Sequence, residues 1–192
     1  EIVDTEKLYV NKINIFGNNI TSEQFIRDQL IVDEGDPFNK ILHTKSINNL
    51  KAKNLFAKVE YDVLDTDSPD QKDININIEE KPTGELMAGA GYGTDGSTFS
   101  IGISENNFKG EGVVLNSKLS LSEQTVKGFV EYVHPNIAYT DRKLSTSLES
   151  TVTDRLTAYG YKSSVNKVSL GTSYEQFENT FFSPNLSISS ET

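Results

Sequence analysis

The chain changes its pattern of alternation near residue 82: before it, apolar positions recur at both helical and strand intervals, and after it they alternate with polar ones almost without a break. Tyr9 to Phe16 alternates imperfectly and meets Phe-Gly-Asn-Asn, where Gly17 and an Asn can take positive φ, so a strand and a turn are predicted. Thr21 stands as a helix N-cap with Gln24 at capping-box spacing, and Phe25, Ile26 and Leu30 share a face, which predicts a short helix over 22–29. The turn Glu34-Gly35-Asp36-Pro37-Phe38-Asn39 breaks it, and Asn39 is placed to cap a second helix with an inward stripe of Leu42, Ile47, Leu50 and Leu55. Residues 57–64 and 73–80 read as strands, with Val59, Tyr61 and Val63 on one face of the first and Ile74, Ile76 and Ile78 on one face of the second. The order β-α-α-β-β makes a small α+β domain, a sheet packed on two helices. Such a sheet has edges, and an edge can capture an extended segment of a partner by β-augmentation.

From Leu86 onward the segments are amphipathic strands of about ten residues with turn chemistry between them. Phe99, Ile101 and Ile103 alternate with Ser100, Gly102 and Ser104; Val113, Leu115, Leu119 and Leu121 with Asn116, Lys118 and Ser120; and Leu144, Leu148 and Val152 with Ser145, Ser147, Glu149 and Thr151, and Val168, Leu170 and Tyr174 repeat the pattern before Phe182. Thr94-Asp95-Gly96-Ser97 and Ser122-Glu123-Gln124 read as short hairpin connections, and 154–161 as a longer loop. A soluble β-sandwich shows the same alternation. Two details shift the balance towards a transmembrane barrel: the polar face carries Lys118, Lys127, Glu131 and Glu149, as a wet lumen does, and Tyr132, Tyr139, Tyr159, Tyr161 and Tyr174 fall near strand ends, as an aromatic girdle does. The boundary between the two parts is expected at 81–85, with Pro82 ending the last strand of the first part and Gly84 permitting reorientation, giving domains of 1–82 and 83–192.

Composition removes several chemistries. The chain has 192 residues and no Cys, which excludes disulfides, Cys zinc sites and thiol nucleophiles, and its net charge of −10 argues against nucleic acid or anionic lipid as a main partner. The acids crowded between Glu60 and Glu80 read as a solvated face and loop. No window is long and apolar enough for a transmembrane helix, and no basic-then-apolar leader opens the chain, so any membrane crossing falls to strands. The abrupt opening at Glu1 and a stop at Thr192 within an alternating run read as a piece of a longer protein. His43 on the second helix and His134 before Pro135 stand outside any Ser-His-Asp or His-Glu-x-x-His arrangement and are expected at the surface. The Gly-x-Gly repeats lack the strand-to-helix setting of a nucleotide loop. Neither catalytic residue, metal ligand nor cofactor is therefore expected, and the chain is not read as an enzyme.

Six short motifs, in order, carry a resemblance: Val10-Asn-Lys-Ile-Asn-Ile-Phe-Gly-Asn; Ile26-Arg27 with Glu34-Gly35-Asp36; Ser68-Pro69-Asp70-Gln71 before Asp73; Lys81-Pro82-Thr83-Gly84; Gly89-x-Gly91-Tyr92-Gly93; and Glu105-Asn-Asn-Phe108-x-Gly110-x-Gly112. The chain resembles the BamA family over its last POTRA domain and the first strands of its barrel. His134-Pro135-Asn136 departs from the aromatic-containing turn usual in that family. The resemblance implies a periplasmic POTRA domain followed by about seven strands of an outer-membrane barrel of about sixteen, too few to close by themselves. It further implies a protein that folds and inserts outer-membrane β-barrels, with unfolded client proteins, accessory lipoproteins and outer-membrane lipid as partners. Related POTRA-barrel translocators of the TamA or two-partner secretion type are the nearest alternatives, and a soluble α+β domain joined to a β-sandwich adhesin is the reading from another class.

The resemblance makes the strand beginning at Leu86 one side of a lateral seam, at which a client strand is templated. Gly89, Gly91 and Gly93 fall at period two on one face of it, which removes three side chains from cross-strand packing and weakens pairing; room for lumen side chains or strong coiling is the plain structural alternative. Arg27 and Glu34 match family positions that face an accessory lipoprotein, with a simple surface ion pair as their plain alternative.

Overall fold

The computed structural model describes residues 7–93, 96–137 and 140–192. The chain divides into two compact units, one running to Pro82 and taking in Lys109–Glu111, the other comprising Thr83–Phe108 and Gly112–Thr192.

The first unit contains β1 (Tyr9–Phe16), α1 (Glu23–Arg27), α2 (Lys40–Ala52), β2 (Phe56–Asp65) and β3 (Gln71–Glu80). Its sheet has the order β1-β3-β2, with β1 parallel and β2 antiparallel to the central β3. Alternation puts Ile74, Ile76 and Ile78 of β3 on the buried face, where they join Val10, Ile13 and Val59 against Ile26 and Leu50. Asn39 caps α2 as its position predicts, its side chain accepting from the N–H groups of Ile41 and Leu42.

Three local expectations are corrected. The N-cap of α1 is Ser22, whose hydroxyl accepts from the Phe25 N–H at 3.2 Å, and the helix ends at Arg27. Thr21 is unavailable as a cap because its backbone N–H and its side chain both bond the Glu80 carboxylate. His43 is not a surface residue: it is buried, stacked between Phe38 and Tyr61 at centroid distances of 5.2 and 6.4 Å, and its Nε2 has no hydrogen-bond partner. Burial without a partner for the charged form pushes its pKa below the ordinary histidine value.

The turn after β1 is held by two features that converge on β3. Gly17 has φ +87°, and a Cβ on it would stand 2.0 Å from the carbonyl oxygen of Ile78, so the position requires glycine for both conformation and space. Glu80 then accepts from the backbone N–H groups of Asn19 (2.9 Å), Ile20 (2.9 Å) and Thr21 (2.6 Å). Partial burial alone would raise the Glu80 carboxyl, but these bonds and that from the Thr21 side chain outweigh it and hold its pKa below the ordinary value.

The second unit is one antiparallel sheet of β4 (Gly84–Gly93), β5 (Gly96–Phe108), β6 (Val113–Ser122), β7 (Thr125–His134), β8 (Lys143–Arg155), β9 (Tyr161–Phe177), β10 (Thr180–Phe182) and β11 (Asn185–Glu191). The strands follow one another from β4 to β9, and both β10 and β11 pair with the far side of β9. Ser183 and Pro184 separate these last two strands, and Thr172 donates to the Pro184 carbonyl at 3.1 Å, so they lie end to end as one interrupted strand. The sheet is therefore eight strands by count and seven positions wide, an open segment of barrel type rather than a closed ring. The longer loop expected at 154–161 is instead the end of β8, the one-turn helix α3 (Leu156–Tyr159) and Gly160, left-handed at φ +74°. Thr94, Asp95 and Tyr139 lie outside the described residues. His134 is half-buried rather than a surface residue, and its Nδ1 accepts from the Asn136 N–H at 3.3 Å in the turn after β7.

One face of this sheet is apolar and bare, with Phe99, Ile101 and Ile103 at 61%, 52% and 57% exposure. The register shows that this belt crosses the hydrogen-bonded rows obliquely. Phe99 shares a row with Leu121, Val126, Val152 and then Ser164, whereas Leu170 on β9 shares a row with Thr146, Tyr132, Leu115 and then Glu105. An apolar band that slides along the strands from one neighbour to the next is level only when the strands tilt, as they do in a barrel. On the opposite face Lys127 pairs with Glu149 at 2.9 Å, and Ser104, Asn116 and Glu131 are linked by hydrogen bonds of 2.6 and 3.0 Å.

Two outcomes are expected from the first unit. Gly17→Ala destabilises it by about 3 kcal/mol or more in chemical denaturation, since both the left-handed φ and the Ile78 contact oppose a methyl group. Glu80 has a depressed folded-state pKa, so its contribution is complete above the unfolded carboxylate value and disappears as pH falls through the folded one. Glu80→Gln should therefore lose about 1–2 kcal/mol at neutral pH and show a flatter stability profile on acidification, measured by denaturation between neutral and strongly acidic buffers.

Candidate functional site

The strand β4 differs from its neighbours at every level. Among the described residues its strand partner is β5, in a continuous register from Gly84↔Glu105 to Gly93↔Gly96. Its polar-side residues from Gly89 on are Gly89, Gly91 and Gly93, opposite Ser100, Thr98 and Gly96. None of the three has a positive φ, and a Cβ on Gly91 or Gly93 would meet nothing within 4 Å, whereas one on Gly89 would lie 3.2 Å from the Ser100 hydroxyl. Backbone conformation therefore does not require glycine at these positions, and at Gly91 and Gly93 space does not either. The other face carries Leu86, then the methyl groups of Ala88 and Ala90, which leave a shallow groove against Phe99, Ile101, Leu119 and Leu121, and then Tyr92 near the end, opposite Ser97. Apart from Tyr92 the strand is thin on both faces over its second half, and cross-strand side-chain pairs, the usual source of sheet stability, are few there.

Its root is built differently. The Thr83 hydroxyl donates to Glu105 Oε1, the same oxygen accepts from the Asn107 N–H at 2.7 Å, and Asn106 donates to the Thr83 carbonyl through its backbone N–H at 3.3 Å and its Nδ2 at 3.2 Å. Asn107 Oδ1 in turn accepts from the Gly112 N–H at 2.9 Å, with Gly112 left-handed. The Glu105-Asn106-Asn107 run thereby clamps Thr83, the residue that leads into β4. Sequence reading met this run as a motif and missed the role, because the partner lies 22 positions away in Thr83. Gly84 is already the first residue of β4, its φ lies outside the left-handed region, and a Cβ there would stand 3.0 Å from the Glu105 carboxylate. Pro82 is exposed and belongs to no element.

The other singled-out pair, Arg27 and Glu34, lies in the first unit. Arg27 ends α1 and pairs with Glu23 at 2.8 Å and with Glu34 at 3.5 Å, both partly exposed. The Glu23 hydrogen bond above all, with the charges of both carboxylates, holds the guanidinium above its ordinary pKa against the opposing effect of burial. Both side chains also bind the main chain of β1: the Ile13 N–H donates to Glu34 Oε1 at 3.0 Å, and Arg27 Nη2 donates to the Ile13 carbonyl at 2.9 Å. Among the described residues no group of His, Asp and Glu is arranged to hold a metal ion, and no helix is long and apolar enough to cross a membrane.

Comparison with known proteins places these features. Residues 8–81 match the model of the POTRA family, described as surface antigen variable number repeat. The chain is 30% identical over 159 residues to the outer membrane protein assembly factor BamA of Neisseria meningitidis serogroup B, covering 74% of this chain and 20% of that protein. It is 31% identical over 140 residues to a putative outer membrane protein assembly factor of Treponema pallidum, covering 68% and 17%. The chain spans about a fifth of the length of the curated relatives it matches. Among solved structures, BamA from Haemophilus ducreyi lacking POTRA domains 1–3 superposes with a TM-score of 0.81 at 24% identity over 96% of this chain and 36% of that one. CdiB from Acinetobacter baumannii superposes with a TM-score of 0.63 at 16% identity, over 97% and 39%. The chain belongs to the BamA-like POTRA-barrel proteins, with a POTRA domain over residues 8–81 and, after it, an open antiparallel sheet of the BamA barrel.

Proposed function

We propose that this protein is an outer-membrane assembly factor that folds and inserts β-barrel proteins, with its POTRA domain in the periplasm. The observation that carries the reading is β4, clamped at its root and carrying from Ala88 to Gly93 only glycine, alanine and one tyrosine. Such a strand holds its neighbours weakly, so its main-chain donors and acceptors can be released to a client strand. A client strand that pairs there gains hydrogen bonds it cannot otherwise satisfy in hydrocarbon, and apolar surface on its lipid face, so the free energy comes from the client and no catalytic group is needed. The names of the relatives at 30% and 31% identity, both outer membrane protein assembly factors, support this over a translocator. The partners that follow are unfolded outer-membrane clients, held in part by β-augmentation at the POTRA sheet edges, accessory lipoproteins and outer-membrane lipid.

Two experiments test the proposal in the full-length protein. Gly91→Val finds open space and adds β-propensity in the thin second half of β4, so it should strengthen pairing at the seam by about 1 kcal/mol and slow insertion of a model barrel client into liposomes. A disulfide engineered between β4 and the strand that closes the barrel should slow insertion further and release it on reduction. Insertion indifferent to the locked disulfide means that clients do not enter at β4. For the lipoprotein, Glu34→Lys should weaken co-purification at least several-fold while leaving the POTRA domain folded; unchanged association removes Glu34 from that interface.

A further inference from the structure

The POTRA sheet has two edges, and the structure treats them differently. The outer side of β2 pairs with no strand among the described residues. The outer side of β1 is occupied from Leu8 to Ile13. Phe38 donates to the Leu8 carbonyl at 2.8 Å, Val10 donates to the Asp36 carbonyl at 2.9 Å, and Gly35 donates to the Val10 carbonyl at 2.7 Å, so the segment 35–38 stands in for a neighbouring strand. The register of β1 then shifts between Val10 and Lys12, and main-chain cover gives way to side chains. Glu34 takes the Ile13 N–H and Arg27 takes the Ile13 carbonyl, while the two side chains also meet each other. A carboxylate on the donor and a guanidinium on the acceptor reproduce, at one residue, the pair of bonds that an incoming strand would make.

We propose that Arg27 and Glu34 act as a side-chain stopper that closes the β1 edge to an extended polypeptide, confining strand capture by this domain to β2. The inference rests on the reading that POTRA edges capture client strands. It gives the two residues work inside the domain that is separable from any lipoprotein contact: a Gln at position 34 keeps an acceptor for Ile13 but loses the ion pair, whereas alanines at both positions bare the edge. Unlike a surface salt bridge, the stopper satisfies main-chain groups, and its loss is read on β1 itself.

The test uses the full-length protein in lipid nanodiscs. Hydrogen exchange over Tyr9–Phe16 is compared in wild type, Glu34→Gln and the double variant Arg27→Ala/Glu34→Ala, with Gln71–Glu80 as the fold control. Glu34→Gln should exchange like wild type and the double variant at least about tenfold faster at Ile13. If the control strand loosens as well, Glu34→Ala alone takes the place of the double variant. A photoreactive residue at Lys12 or at Glu60 then reports capture of a synthetic peptide with the β5 sequence Ser97–Ser104. Adducts are expected at Glu60 in every protein and at Lys12 only when both alanines are present. Unchanged exchange in the double variant, or equal adducts at Lys12 with and without the stopper, overturns the proposal. No adduct at either position in any protein sinks the reading that this domain captures strands; the equality that overturns the stopper is one of adducts that do form at Lys12, and with none formed the exchange at Ile13 decides it.

Discussion

Every strand has two sides, and the backbone groups on each must bond something; the organisation of this chain follows from how its edges meet that demand. In the POTRA domain the central β3 is satisfied on both sides by β1 and β2, which is why its Ile74, Ile76 and Ile78 can form the fixed floor of the core. The edge of β1 is met by a short run of main chain and then by Arg27 and Glu34. In the barrel segment β4 is paired on one side by β5 and held at its root by side chains of the Glu105–Asn107 run. The same demand is thus met in more than one way: by strands on both sides, or by a strand on one side with side chains and loops supplying the rest.

Packing works with that constraint rather than beside it. Glu80, at the end of β3, gathers the donors of the Asn19–Thr21 turn, and Gly17 lets that turn lie against the Ile78 carbonyl, so the end of the central strand is fixed by bonds instead of bulk. In the second unit, side chains on β5 to β9 sort into an apolar face and a polar face with ion pairs, and the oblique passage of the apolar belt across the rows ties the register to the tilt. A shift of one residue on β7 or β8 would exchange that strand's two faces and carry Lys127 or Glu149 into the apolar belt.

What could be read from the sequence was what neighbouring residues decide. The alternation of Ile74, Ile76 and Ile78, the Asn39 cap and the strand character after Leu86 are all set within a few positions, and each appears in the structure. Readings failed where a distant partner intervened. Thr21 has the right type and spacing for a cap, but Glu80, 59 positions on, takes its N–H. His43 shares a helical stripe with Ile47 and Leu50, a signal of burial that its polarity concealed. On β7 the alternation is blurred because Gly128 leaves the apolar face empty while Phe129 turns to the polar face, opposite Lys118 and Glu149. The clamp at the root of β4 and the bonds of Arg27 and Glu34 to Ile13 were invisible for the same reason: the sequence shows the side chains, and only the fold brings the backbone they bind.

The uneven construction of β4 also has a mechanical meaning. Ten residue pairs join it to β5. One end is held by Glu105 and Asn106, and the other runs through two residues into β5 itself, so the register of the ten pairs is kept at both ends. Between them, from Ala88 to Gly93, the strand carries only glycine, alanine and tyrosine. That thin stretch can loosen and re-form without slipping, because neither end gives it a different rung to close on.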